Sequence, residues 1–261
     1  MSGKSKCTNI LKGLVLLTGI VVFSLTAGAA ESQLLIAKGN TAYSAGKYQE
    51  AISIYKSLVS QGYESPDLYY NLGNSFFKLN DIPHAIIWYE RAKRLDPGNE
   101  DVSFNLNVAN SRITDKIDPL PEFFVKRWFR VVTDIFSVDT WSASGIAFFI
   151  AALLFFSLYI TSRVLILRKL GFWGGFSSLL ISAVFLLFAW TGYRSLKSEQ
   201  SGIITNPTVT VKSSPDEKST DIFVIHEGCK IQLIDHIGNW YEISIVNGSV
   251  GWVEVSNFEK I

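Results

Sequence analysis

The sequence predicts a multi-domain chain: α-helices in repeated pairs, two membrane-crossing helices, then a small closed β domain. Three observations predict it. A stretch of helical periodicity recurs after 34 residues, from Gly39 to Gly73, which is self-similarity at a fixed period. Two windows, 141–161 and 172–193, hold no charged residue. From Gly202 onward the apolar pattern changes to the two-residue alternation of strands. Composition agrees, with 48% of the 261 residues hydrophobic and a formal charge of +1. That is apolar for a water-soluble chain, and the balanced charge offers no electrostatic footprint for nucleic acid.

The first segment, 1–30, has the grammar of a signal peptide. Lys4, Lys6 and Lys12 precede the apolar run Leu14 to Leu25, and "TAGAAES" comes next with small residues. Cleavage is expected near Ala29 or Ala30, with an uncleaved anchor as the alternative; either exports the repeats. Cys7 lacks the surroundings of a lipoprotein box. The only other cysteine is Cys229. Removal of the leader therefore excludes an internal disulfide, and Cys229 reads as a buried strand residue.

Residues 31–117 carry the repeat. "GNTAYSAGKYQEAISIYKSL" from Gly39 aligns with "GNSFFKLNDIPHAIIWYERA" from Gly73, placing Ala51 on Ala85 and Tyr55 on Tyr89. Small residues at these places let paired helices approach, and the tyrosines fill the gap beside them. Pro97 stops the last helix, since proline lacks an N–H and clashes with the preceding turn. The period and the letters resemble the tetratricopeptide repeat. The register continues into "EDVSFNLNVANSRITDKI", with Leu106 in the leucine slot and Asn107 in the glycine slot. This predicts two full repeats and a capping helix, as terminal units are atypical.

In such an array the first helix of each pair lines the concave face. The candidate protein-binding residues are Asn40, Tyr43, Tyr70, Asn74, Phe77 and Lys78, with Ile36, Phe104 and Arg112 nearby. Asparagines can hydrogen-bond a peptide backbone, and aromatics supply apolar contact. The chaperone-tail subclass of this family clamps a terminal carboxylate with basic residues. Here Asn40 and Asn71 match its asparagines, but Ile36, Asp101 and Asn105 stand where bases are required. That argues against carboxylate capture.

Residues 118–140 form a juxtamembrane segment. Phe124, Trp128, Val131 and Ile135 recur at helical spacing, with Lys126, Arg127, Arg130 and Asp134 on the other side. Two placements fit, and the two are compatible: on a membrane surface, and packed on the last repeat as an extension of the array. The charge-free windows 141–161 and 172–193 are each about the length a bilayer requires. Trp141, Trp173, Trp190 and Tyr193 lie near their ends, where aromatic belts form. The connection 162–171 contains Arg163, Arg168 and Lys169 and no acid. Short cationic loops stay in the cytoplasm. The repeats and the C-terminal domain are therefore expected on the far side, the periplasm of a bacterial inner membrane. Gly174, Gly175, Ser177, Ser178 and Ser182 would permit close helix contact. No ionisable group inside either span suggests an ion path.

After a linker, 194–201, residues 202–261 read as short β-branched strands between turns. "VNGSVGW" signals a hairpin with Asn247-Gly248 in a two-residue turn. "TVTVKSSPDEKS", "HEGCKIQLI", "GNWYEISI" and "GSVGWVEVSNFEKI" resemble the bacterial SH3 domain in order and spacing. That resemblance implies a five- to seven-stranded barrel binding cell-wall material or proteins. Trp240 and Tyr241 are its candidate ligand surface; Trp252 is expected inside the barrel.

Motifs for chemistry are missing. His84, His226 and His236 fall in three separate contexts, and neither a metal-ligand spacing nor a phosphate loop occurs. The expectation is a non-catalytic chain without cofactors.

The order of parts, and above all "DKIDPLPEFFVKRW" from Asp115 to Trp128, resembles the BatE-type proteins of the Bacteroides aerotolerance operon. The resemblance implies membrane partners with von Willebrand A domains and a MoxR-type ATPase system, with a role in oxygen or envelope stress. The overall expectation is a membrane-anchored periplasmic adaptor. A peptidoglycan-binding tether acting through the barrel is the alternative.

Overall fold

The computed structural model describes residues 32–117, 120–121, 123–198 and 200–261, so the expected leader lies outside the described residues. The chain is a helical repeat region, two long apolar helices and a C-terminal antiparallel sheet.

Five helices make the repeat region: α1 (32–44), α2 (Tyr48–Ser60), α3 (Pro66–Lys78), α4 (Ile82–Leu95) and α5 (Glu100–Asn110). Local chemistry sets their ends. The Ser65 hydroxyl accepts from Leu68 N–H, Asp81 accepts from His84 N–H, and Asn99 accepts from Val102 N–H. Each satisfies an orphan donor at a helix start. Proline occupies the first turn of α3 and α4, where its missing N–H costs nothing. Between α1 and α2, Gly46 takes φ +76; one repeat later Asn80 takes φ +62 at the equivalent place. Asparagine is among the few residues that tolerate this left-handed conformation.

The repeat explains its own small residues. A Cβ on Gly73 would lie 2.5 Å from the Tyr89 ring, and a Cβ on Gly39 would collide with the Tyr55 ring. Each tyrosine thus occupies the space a side chain would need, and Ala51 and Ala85 are buried alongside. Leu58, Leu68, Leu72, Ile86 and Ile87 complete the core, with Val102, Leu106 and Ala109 of α5 closing it.

α6 (Phe124–Thr133) leads into α7 (Val138–Thr161) and α8 (Leu165–Ser198). The last two are long and apolar enough to cross a membrane, and most of their surface is uncovered. They pack as a hairpin. Gly174 meets the Phe155 ring, Gly175 meets the Phe156 ring, and Ser182 Oγ donates 2.8 Å to the Gly145 carbonyl. Two details differ from the sequence reading. The connection shrinks to 162–164, because the leucine-rich run from Leu165 contains no helix breaker, and Arg168 and Lys169 sit in the first turns of α8. Trp141 does not face outward. It is buried among Phe136, Phe185 and Phe188, and its Nε1–H donates 3.0 Å to the Thr133 carbonyl.

Seven strands complete the chain: β1 (Ser201–Ile204), β2 (Thr208–Lys212), β3 (Asp221–His226), β4 (Lys230–Ile237), β5 (Trp240–Ser244), β6 (Val250–Glu254) and β7 (Phe258–Lys260). Their order is β3-β2-β6-β5-β4-β1-β7, every pair antiparallel. Ile204, Val209, Val211, Ile225, Ile231 and Ile243 fill the interior. The two-residue turn is Gly238-Asn239, where Ile237 pairs with Trp240 and only Gly238 has positive φ, the pattern of a type II′ hairpin. The expected two-residue turn at Asn247-Gly248 is a three-residue loop, 246–248: Ile245 N–H donates to Ser249, and Gly248, at φ +86, donates to Ile245. Such a loop is a turn closed by a left-handed residue, which glycine supplies.

The barrel does not hang free. Ile203 of β1 belongs to the repeat core, while its neighbour Ile204 belongs to the barrel core. Around this seam, Arg91 of α4 donates 2.9 Å to Glu259, and Lys230 donates 2.8 Å to Glu90. Asp115 accepts from His226 N–H at 2.6 Å and lies 2.8 Å from His226 Nδ1. Beyond α5 the chain runs along the barrel. Ile113 meets Gly228, Ile117 packs on the barrel core, and Leu120 N–H donates 3.2 Å to Val246 O.

Candidate functional sites

The predicted groove residues meet on one face because α1, α3 and α5 lie side by side. The Tyr55 hydroxyl donates 2.7 Å to Asn40 Oδ1, and the Tyr89 hydroxyl donates 2.7 Å to Asn74 Oδ1. Asn71 Nδ2 also donates to Asn40 Oδ1, at 3.3 Å; Asn105 Nδ2 donates to Asn74 Oδ1, at 3.0 Å, and to the Tyr70 hydroxyl, at 2.9 Å. Both Asn40 and Asn74 are therefore used as acceptors by the scaffold. Their amide N–H groups have no partner among the described residues, so two equivalent donors repeat along the face. This arrangement stems from the sequence. Tyr55 and Tyr89 thread beside Gly39 and Gly73 and reach the adjoining asparagine from behind.

Burial fixes the tyrosines as neutral donors. It pushes the Tyr55 hydroxyl to about 12 and raises Tyr89 further. Tyr43 is also raised, by burial first and by its tyrosine neighbours second. Tyr43 meets Tyr48 edge-on at 5.3 Å, and Tyr70 tilts onto Tyr89 at 6.0 Å. Phe77 is half-buried beneath the Arg112 guanidinium, 4.3 Å from its ring. Lys78 is exposed in the last turn of α3. The face thus offers amide donors, tyrosine edges and two cations. The barrel docks against α4, through Ile86, Glu90 and Arg91.

On the barrel, Trp240 and Tyr241 do not share a surface. Neighbours in a strand point to opposite faces. Tyr241 turns toward the barrel core, with its ring edge-on to Phe258 and stacked on His236, and its hydroxyl accepts 2.8 Å from Lys260 Nζ. Trp240 faces outward, and Trp252 does too, contrary to its expected core position. Gly251 and Val253 take the buried places on β6. Trp240 pairs with Glu254, and Trp252 pairs with Glu242. The outer face of β5–β6 is therefore a chequer of two indoles and two carboxylates. Cys229 is buried, and burial pushes its thiol to about 11, which leaves it inert. No group of three or more potential metal ligands occurs among the described residues.

Residues 36–100 match the tetratricopeptide repeat family, and residues 207–259 match the bacterial SH3 domain family. The chain matches no curated protein. Both families are typically non-catalytic binding domains, and they point to protein binding or cell-wall binding.

Proposed function

We propose that the chain is a membrane-anchored adaptor whose repeat groove holds an extended segment of a protein partner. The paired asparagines carry this reading. Each has its oxygen engaged by a buried tyrosine and its amide donor without a partner among the described residues, at a spacing set by the repeat. A bound peptide's carbonyls fit such donors. Asp101 and Asn105, in place of basic residues, favour an internal segment over a terminal carboxylate.

The resemblance to the aerotolerance proteins names candidate partners: A-domain membrane proteins, working with a MoxR-type ATPase in envelope stress. The repeats and barrel would then work in the periplasm, behind a removed leader, with the spans in the bacterial inner membrane. Two features support a shared side for both domains. The cationic bend lies between the spans, and Ile203 buries the barrel against the repeats. The test is recovery of A-domain proteins with the full chain from detergent extracts. Asn74→Ala with Phe77→Ala should abolish recovery, and undiminished recovery removes the groove from the mechanism.

The outer barrel face supports a second reading, a tether to peptidoglycan. Indoles stack on sugar rings and carboxylates pair with amino groups of stem peptides. Sedimentation of the full chain with purified peptidoglycan, lost in Trp240→Ala, would favour it.

A further inference from the structure

We infer that α6 is a lipid-docking helix, embedded by its apolar face at the phospholipid surface from which the repeat–barrel body rises. The inference rests on the reading of α7 and α8 as membrane spans. Helix α6 has three sides. Phe129 and Thr133 face the spans: Phe129 tilts onto Phe188 at 5.5 Å, and Thr133 lies beside Gly192. Arg127 and Arg130 are exposed on a second side. The third side, Phe124, Trp128 and Val131, is exposed, with Trp128 at 62% and Val131 at 59%, and Ile135 in the turn just past the helix is exposed too. Four large apolar residues on one uncovered stripe demand a cover.

The level of the helix says what covers it. Its last turn meets α8 at Gly192, between Trp190 and Tyr193, both exposed, and next to Arg194, the first charge after the apolar run. That is the height of the aromatic belt and headgroups. Its start is fixed from the other direction. Leu120 is hydrogen-bonded to the barrel at Val246, so Phe124, four residues on, lies within about 14 Å of that residue. Pinned between barrel and belt, α6 lies at the interface. Its bare stripe continues the lipid-facing surface of α8, and Arg127 borders it, placed to reach phosphates. The other placement holds as well: α6 contacts α8, and just past its end the backbone of Asp134 and Ile135 lies against Gly98, at the turn between α4 and α5 of the last repeat.

The experiment uses the full chain in phospholipid vesicles. Cys7→Ser removes one thiol and Cys229 is buried, so an introduced cysteine is the reactive one. A fluorophore at Val131→Cys should lose most of its emission to nitroxides at headgroup depth and little to aqueous iodide. A fluorophore at Leu154→Cys, on the exposed side of α7, should be quenched by nitroxides deep in the acyl chains. Quenching of position 131 by iodide alone overturns the proposal by placing the stripe in water. Protection from both agents overturns it by showing a protein cover, a second copy included. Failure of position 154 to meet deep nitroxides overturns the spanning reading, and the proposal with it.

Discussion

Ile203 and Ile204 are adjacent and both fully buried, yet Ile203 sits among the repeat helices and Ile204 inside the barrel. One two-residue step of β1 therefore joins two cores. Ile203→Ala should cost about 2–5 kcal/mol, the usual range for an isoleucine cavity, and should split thermal unfolding into two transitions. Ile204→Ala leaves the seam intact and should lower the shared transition without splitting it. Calorimetry of the detergent-solubilised chain distinguishes them, and a single unshifted transition for Ile203→Ala would show the seam to be incidental.

Tyr89→Phe removes one buried hydroxyl and nothing else. Stability should fall by about 1 kcal/mol, because Asn74 keeps its bond from Asn105. Partner recovery should fall further than that loss accounts for, since Asn74 is no longer held with its amide outward. Tyr55→Phe should act alike on Asn40. Denaturant titration beside co-purification separates the two effects.

Gly73→Ala inserts a methyl into the space of the Tyr89 ring, 2.5 Å from its nearest atoms. Overpacking of this kind costs about 1–3 kcal/mol. Urea midpoints should drop for Gly73→Ala and Gly39→Ala, whereas Gly238→Ala, with open space around it, should suffer only the strain of its positive φ.

The start of α4 should be sensitive to pH. Asp81 and His84 Nδ1 are 2.7 Å apart and each about 36% exposed. The hydrogen bond that His84 Nδ1–H donates to the Asp81 carboxylate raises His84, against the opposing effect of burial. Burial opposes the charge on Asp81, but the His84 contacts outweigh it and hold the carboxyl low. The His84 contribution is complete below about pH 6.5 and is lost as pH rises through its higher folded value; the Asp81 contribution is present above about pH 4 and is lost on acidification. Between pH 6 and 8 the wild type should lose more stability than His84→Gln, by less than about 1 kcal/mol for so exposed a pair. Equal slopes in thermal melts would refute the assignment.

Periodicity made the repeat helices and the strands legible, because each buries a stripe that recurs at a fixed interval, and unbroken apolar length did the same for α7 and α8. The pairing of Gly39 with Tyr55 and Gly73 with Tyr89 was visible as a repeat of letters. What it does, aiming Asn40 and Asn74, was not, since hydrogen bonds across helices leave no spacing signal. The seam was also hidden. Arg91 and Glu259 stand far apart in the sequence, and Ile203 reads as one more barrel residue. Trp252 misled because glycine beside it took the buried side. Trp240 and Tyr241 misled together, as neighbours along a strand are turned to opposite faces by the pleat.

The unbroken length of α8 limits the working radius of the barrel. Its 34 residues make a rod of about 50 Å, scarcely more than the roughly 45 Å of a whole bilayer with its headgroups. Only two residues separate Ser198 from Ser201. With α8 across a bilayer, as proposed above, the barrel would begin where the lipid ends, with no leash to extend. In that placement any ligand of the barrel, a strand of wall polymer included, would have to approach to within the barrel's own width of the membrane.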